Sequence, residues 1–201
     1  MKMTEAIGCN GFPCLDIEKH SYCIPNIDLD PSRVRAMMIS ECSPSLSSDY
    51  FYSPDSLFSR TTLQAFRDSG MEVRDINQLI DYGFYFTTAV KCGKKTYGIN
   101  SATIRHCSFL LEGEFNLFEN LKVVMLMGDV AIKTFNEMAK RKTGTRAIPA
   151  GSTYRLREST FFFNGLRIFP SYLQAGPSFF IEKSKRKMIS EDIASCLAIL
   201  K

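Results

Sequence analysis

The residues of this chain best suited to chemistry are its seven cysteines. Four of them form two pairs. Cys9 and Cys14 lie near the N-terminus, and Cys92 and Cys107 stand in mid-chain with 14 residues between them. Pairs distant in sequence can converge in a fold, and thiolates at tetrahedral corners suit zinc or an iron–sulfur cluster. The spacing does not separate these metals and matches no standard zinc ribbon. Buried free thiols, which are common, are the competing reading. Cys42 and Cys196 read as small core residues. A second candidate is Glu41, at the end of the apolar stretch RAMMISE. A lone acid there is costly unless it has a partner or a task. The third feature is charge. From Met138 onward there are 12 Lys and Arg against 4 Asp and Glu, whereas the rest holds 13 against 17. A polyanion such as DNA fits that asymmetry, as does a solvated surface. Within the basic part, AKRKTGTRAIPAGSTYRLR spreads Lys142, Arg146, Arg155 and Arg157 through a Gly-, Thr- and Ser-rich loop that can approach phosphates. The later run of Lys183, Lys185, Arg186 and Lys187 reads as a solvated helix face.

These residues need elements to position them. Four short apolar runs with little alternation predict strands covered on both faces: Val34–Glu41, Gly83–Cys92, Val123–Gly128 and Leu166–Tyr172. Helices are predicted over Ser56–Asp68, Ser101–Leu121 and Asp129–Ala139, the last N-capped by Asp129. A further turn is expected at Asp75–Leu79, and a last helix at Phe180–Leu200 with a break near Ser190. Alternating strands and helices imply crossovers and a mainly parallel four-stranded sheet, an α/β fold. Ligands of such sheets bind beyond the carboxyl ends of the strands. That edge carries Glu41-Cys42-Ser43, Thr88 to Cys92, Gly128-Asp129 and Pro170 to Gln174, which should surround one site. A length of 201 residues, 45% hydrophobic and 23% charged, fits one domain with a substantial core. No apolar run approaches the roughly 18 residues of a membrane span, and MKMTEAIGCNGFP lacks the apolar core of a signal peptide. A cytoplasmic protein is expected.

Four stretches, in order, resemble the iron–sulfur (family 4) uracil-DNA glycosylases. TTAVKC, a basic loop and IRHCSFLLEGEF resemble that family's Thr-Asn-x-x-Lys-Cys strand end and Cys-x-x-Leu helix. RAMMISECSP resembles its first motif, a strand ending in Gly-Glu-Ala-Pro-Gly. VVMLMGDVAIKTF resembles its Leu-Gly-x-x-Ala strand and helix, and YRLREST with LRIFPSYLQAG its arginine loop and last strand. The resemblance implies a three-layer α/β/α domain spanning residues 1–201 and an N-terminal cluster-binding segment over residues 1–30. It implies a structural [4Fe–4S] cluster on Cys9, Cys14, Cys92 and Cys107, with zinc as the alternative metal. The first pair is spaced more widely than in the family, which makes Cys23 a substitute for Cys9.

The activity implied is that of a monomeric DNA repair glycosylase. It would hydrolyse the N-glycosidic bond of a flipped deaminated base, uracil in the first instance, with Glu41 as the catalytic carboxylate. Cys42 and Ser43 adjoin that carboxylate, and Phe51 or Tyr52 would stack on the base. Two departures mark the active site. The family's base-reading Asn falls on Thr88, a hydroxyl in place of an amide. The family's histidine after the last strand is missing. The chain has only His20 and His106, so Ser171, Tyr172 or Gln174 would have to donate to the base instead. A relative that has lost catalysis and binds DNA or a damaged base is therefore the alternative.

Overall fold

The computed structural model describes all 201 residues. Its strands are β1 (Ile17–Glu18), β2 (Ala36–Cys42), β3 (Phe84–Val90), β4 (Gly93–Lys94), β5 (Val123–Met127), β6 (Phe161–Phe163) and β7 (Leu166–Ser171). Its α-helices are α1 (Met3–Ala6), α2 (Leu57–Asp68), α3 (Ile76–Tyr82), α4 (Ser101–Phe115), α5 (Asp129–Thr143), α6 (Thr153–Leu156), α7 (Ser178–Ile181) and α8 (Lys183–Leu200). The main sheet has five strands in the order β3-β2-β5-β7-β6. The four strands expected from sequence are all present and pair in parallel, Ala36 with Phe84 and Val123, and Val123 with Arg167.

The fifth strand corrects the four-stranded expectation. Phe161–Phe163 runs antiparallel to β7 and closes the sheet at one edge. The turn between them is Asn164-Gly165, both at positive φ (48° and 82°), the pairing that a tight hairpin turn demands. β1 and β4 form a separate two-stranded antiparallel ribbon.

Side chains of each strand alternate between two cores. Met37 and Ile39 of β2 point with Val124, Leu126 and Ile168 toward Leu111 of α4 and Phe135 of α5. Ala36 and Met38 point with Phe84, Phe86 and Met125 toward Phe66 of α2, Leu79 of α3 and Ile193 of α8. Helices therefore cover both faces, which is why the strands read as unbroken apolar runs.

Local chemistry sets the helix ends. The Asp75 carboxylate accepts from the amides of Asn77 and Gln78, so the expected turn extends to Tyr82, and Gly83 at φ 105° ends it. The long mid-chain helix stops at Phe115 rather than Leu121, and Phe118 and Leu121 still reach the core from the loop that leads into β5. Asp129 is not the N-cap of α5; Gly128 is. The last helix breaks at Glu182 (φ −91°, ψ 76°) and runs unbroken through Ser190. No helix is long and apolar enough to cross a membrane.

Phe66 is wholly buried and packs edge-on against Phe84 at 4.8 Å. Phe66→Ala is expected to lower unfolding stability by about 3–5 kcal/mol, measurable by denaturant titration. Arg186 of α8 grips Asp68 at the end of α2 (2.5 and 2.8 Å), and that bond holds the Asp68 carboxyl below its usual range. A depressed carboxyl stabilises the fold above its unfolded pKa of about 3.9 and loses that contribution as pH falls through its folded value. Melting curves of Asp68→Asn should accordingly fall less steeply than wild type on acidification through this range.

Candidate functional site

Cys9, Cys14, Cys92 and Cys107 line one narrow cavity, together with Phe12, Ile17, Tyr22, Val90 and Leu110. Three segments bring them there. Cys9 and Cys14 flank a loop in which Gly11 and Phe12 take positive φ (75° and 43°). Cys92 lies two residues past the end of β3, and Cys107 lies on the buried stripe of α4 between Ile104 and Leu111.

The N-terminal segment is fastened at several points. The β1–β4 ribbon ties it to the residues after Cys92. The Gly93 amide donates to Ser21 Oγ at 2.6 Å, and Cys9 N–H donates to the Tyr22 hydroxyl at 2.9 Å. Asp16 accepts from the Asn100 amide (2.6 Å) and the Thr103 hydroxyl (2.5 Å) at the start of α4. Burial would raise the Asp16 carboxyl, but these hydrogen bonds prevail and hold it below the usual range. Cys23 does not line the cavity; its thiol lies 3.9 Å from the Ile24 carbonyl. Cys196 is core, and Cys42 packs against Cys92 and Cys107 from the sheet side instead of facing the edge expected to bind substrate.

Burial pushes the Cys92 thiol up to about 12, aided by the neighbouring Cys107, Cys9 and Cys14. It pushes Cys107 up to about 11, against the pull of the Lys91 amide and ammonium. Any metal bound here must displace those protons. No group of three His, Cys, Asp or Glu side chains is arranged to hold a single metal ion. A tetrahedral zinc site at about 2.3 Å per Zn–S bond needs its sulfurs under about 4 Å apart. The cavity is lined by four cysteines, the number of thiolates that a [4Fe–4S] cluster takes.

Glu41 occupies a different place. The chain leaves β2 toward β3 and leaves β5 toward β7, so the connections diverge between the ends of β2 and β5, the switch point at which open α/β sheets place a crevice. Half-buried Glu41 sits there, and its Oε1 accepts from the Val130 amide at 3.3 Å. α5 has no side-chain cap of its own, so the carboxylate of another strand caps it and meets the positive end of the helix. Gly128 makes the approach possible. Its φ of 106° and ψ of 168° fall in a region open essentially to glycine alone, and a Cβ would lie 2.6 Å from Glu41 Oε1. Glu41 lines none of the five principal clefts.

The other residues expected at this edge are engaged with one another. Gln174 is wholly buried; its carbonyl accepts from Ser40 at 3.1 Å, and its amide faces only the Met38 sulfur at 3.2 Å. Thr88 and Ser43 share a hydrogen bond at 3.1 Å, and Ser171 donates to Asp192. Phe51 is wholly buried between Phe58 and Phe86, so it is core instead of a stacking platform. The Tyr52 hydroxyl both donates to and accepts from the backbone of Phe86 at 2.8 Å, capping the free edge of β3.

Two of the four expected DNA contacts are also committed elsewhere. Arg157, 11% exposed, binds Asp192, Glu191 and the Met188 carbonyl. Lys142 donates to Asn116 at 2.6 Å and lies over the Phe115 ring. Arg146 and Arg155 are exposed, and Arg146 borders a groove of about 330 Å³ between α4, α5 and the loop that follows. Asn136 holds that loop by pairing both ways with the Ile148 backbone at 2.8 and 3.0 Å.

Sequence reasoning passed over one buried cluster. Lys91 and Glu114 are both fully buried and form an ion pair at 2.5 Å. The signals were present: a lysine in a wholly buried strand end, and a glutamate on the apolar stripe of α4, three residues past Leu111.

Gly128→Ala should destabilise the protein by about 1–3 kcal/mol from backbone strain alone and displace Glu41, to be read as a lowered thermal midpoint. No protein-family model matches the chain, and no curated protein matches it.

Proposed function

We propose that this protein hydrolyses the N-glycosidic bond of a flipped deaminated base, uracil in the first instance, in DNA. The observation that carries the reading is Glu41 at the switch point of the parallel sheet, seated on the N-terminus of α5. Departure of a base passes through an oxocarbenium-like state, which needs a carboxylate on the sugar side. One Glu41 oxygen is fixed by the Val130 amide at the start of α5. The other oxygen stabilises the cation or orients the attacking water. Gln174 supplies the donor to the leaving base once its amide turns from Met38 toward the crevice, and Thr88 and Ser43 read the base edge. Arg146 and Arg155 take phosphates, and the chain acts as a monomer. Cys9, Cys14, Cys92 and Cys107 hold a [4Fe–4S] cluster. When bound, it supplies a structural cross-link between the N-terminal segment and the ends of β3 and α4.

A second reading is a relative that binds DNA without turnover. The burial of Gln174, Thr88 and Ser171 among intramolecular partners favours it, as does the lack of a histidine after β7. Removing one donor to developing negative charge typically costs about 100- to 1,000-fold in rate.

A uracil-containing oligonucleotide incubated with the protein and treated with alkali should be cleaved, and Glu41→Ala should lower the rate at least about 100-fold. Binding without cleavage selects the second reading; absence of both rejects the DNA assignment. In titrations at several salt concentrations, Arg146→Ala and Arg155→Ala should each lower the slope of log K against log salt by about one, while Arg157→Ala should act through stability instead.

A further inference from the structure

The Lys91 ammonium has three donors, and all three are used: Glu114 Oε2 at 2.5 Å, Thr87 Oγ1 at 2.7 Å and the Thr88 carbonyl at 2.7 Å. Glu114 in turn accepts from the Tyr85 hydroxyl at 2.8 Å and from Thr87 at 3.0 and 3.2 Å. The network is closed, and Lys91, Glu114, Tyr85 and Thr87 are all wholly buried. Such a pair contributes little net stability, because desolvation offsets the attraction and apolar side chains of similar volume often serve as well. Its location is more informative than its energy. Lys91 lines the cysteine cavity beside Cys107 and immediately precedes Cys92. Glu114 lies on the helix that carries Cys107, two turns further along. The network therefore bolts the end of β3, one residue before Cys92, to α4, two turns past Cys107. Through the Thr88 carbonyl it also reaches the residue whose hydroxyl meets Ser43 at the sheet edge.

We propose that Lys91 and Glu114 are positioning residues for the cysteine site, holding Cys92 and Cys107 at the separation that a polynuclear cluster requires and coupling that site to Thr88. This rests on the cluster assignment above. Residues that orient metal ligands from behind typically cost about 10- to 100-fold in metal affinity when removed.

The test compares the anaerobically purified protein with a variant in which the whole network is apolar: Lys91→Met, Glu114→Leu, Tyr85→Phe and Thr87→Val. Iron and sulfide content, the rate of iron release to a chelator, the electron paramagnetic resonance spectrum after reduction and the melting temperature are measured. The expected result is a folded variant with near wild-type melting that releases iron at least about tenfold faster and shows an altered spectrum. A folded variant with unchanged release and spectrum overturns the proposal and leaves the network a packing device. Should the variant not fold, Thr87→Val alone removes one bond from each partner. It should raise the release rate severalfold, and no change overturns the proposal. A wild-type chain that binds no iron or sulfide refutes the cluster assignment itself, a result distinct from either variant outcome.

Discussion

The position of β2, flanked on both sides by parallel partners, constrains most of what surrounds it. Parallel neighbours cannot be joined by tight turns, so each connection crosses a face of the sheet and lays helices there. β2 pairs with β3 on one side and β5 on the other, and the connections diverge. Both faces become dry, and alternate residues of one strand enter separate cores. All four carboxyl ends emerge at one edge, with a crevice where the direction reverses. Glu41 stands at that crevice because it lies one residue before the end of β2, the strand beside β5. The start of α5 comes to meet it because β5 is the next strand over. Only a glycine at position 128 allows the chain to turn there without striking the carboxylate.

A second constraint comes from the N-terminal segment, which contributes no strand to the main sheet. It is held by a two-residue ribbon, by Asp16 at the start of α4 and by Ser21 and Tyr22 near the cavity. Each contact is modest, since a typical hydrogen bond contributes about 0.5–1.5 kcal/mol net. A cluster bound by Cys9 and Cys14 on this segment and by Cys92 and Cys107 on the body would supply a stronger tie. The closed Lys91–Glu114 network differs from the surface pairs, such as Lys133 with Asp129, which are exposed to solvent and contribute about 0–1 kcal/mol. Breaking one side of the buried pair would strand a charge in the core.

Much of the architecture was legible in the residues. Four unalternating apolar runs announced four doubly covered strands. The end of α2 at Asp68 was equally plain. The hairpin to β6 was overlooked despite its Asn-Gly turn, because Phe161–Phe163 is too short to show a period. The break in the last helix was misplaced from Glu182 to Ser190 because Ser-Glu-Asp makes a good start signal wherever it occurs, and continuous burial of Ile189, Ile193 and Cys196 overrode it. Asp129 was assigned the role of helix cap on sequence adjacency, whereas the cap arrives from Glu41, 89 residues away in the chain.

By itself, the sequence determined the supply of chemistry: paired thiols, one acid ending an apolar strand, a basic C-terminal part, and the alternation that makes an α/β sheet. Tertiary structure decided which of those groups are engaged. Cys9 faces the cavity and Cys23 does not; Arg157 and Lys142 are tied down while Arg146 and Arg155 are exposed; Gln174, Thr88 and Ser171 are bonded inward. The reason is physical. Residue type and local spacing fix period, caps and charge, but a hydrogen-bond partner or a burial depth depends on distances between segments far apart in the chain, which exist only once the sheet has brought them together.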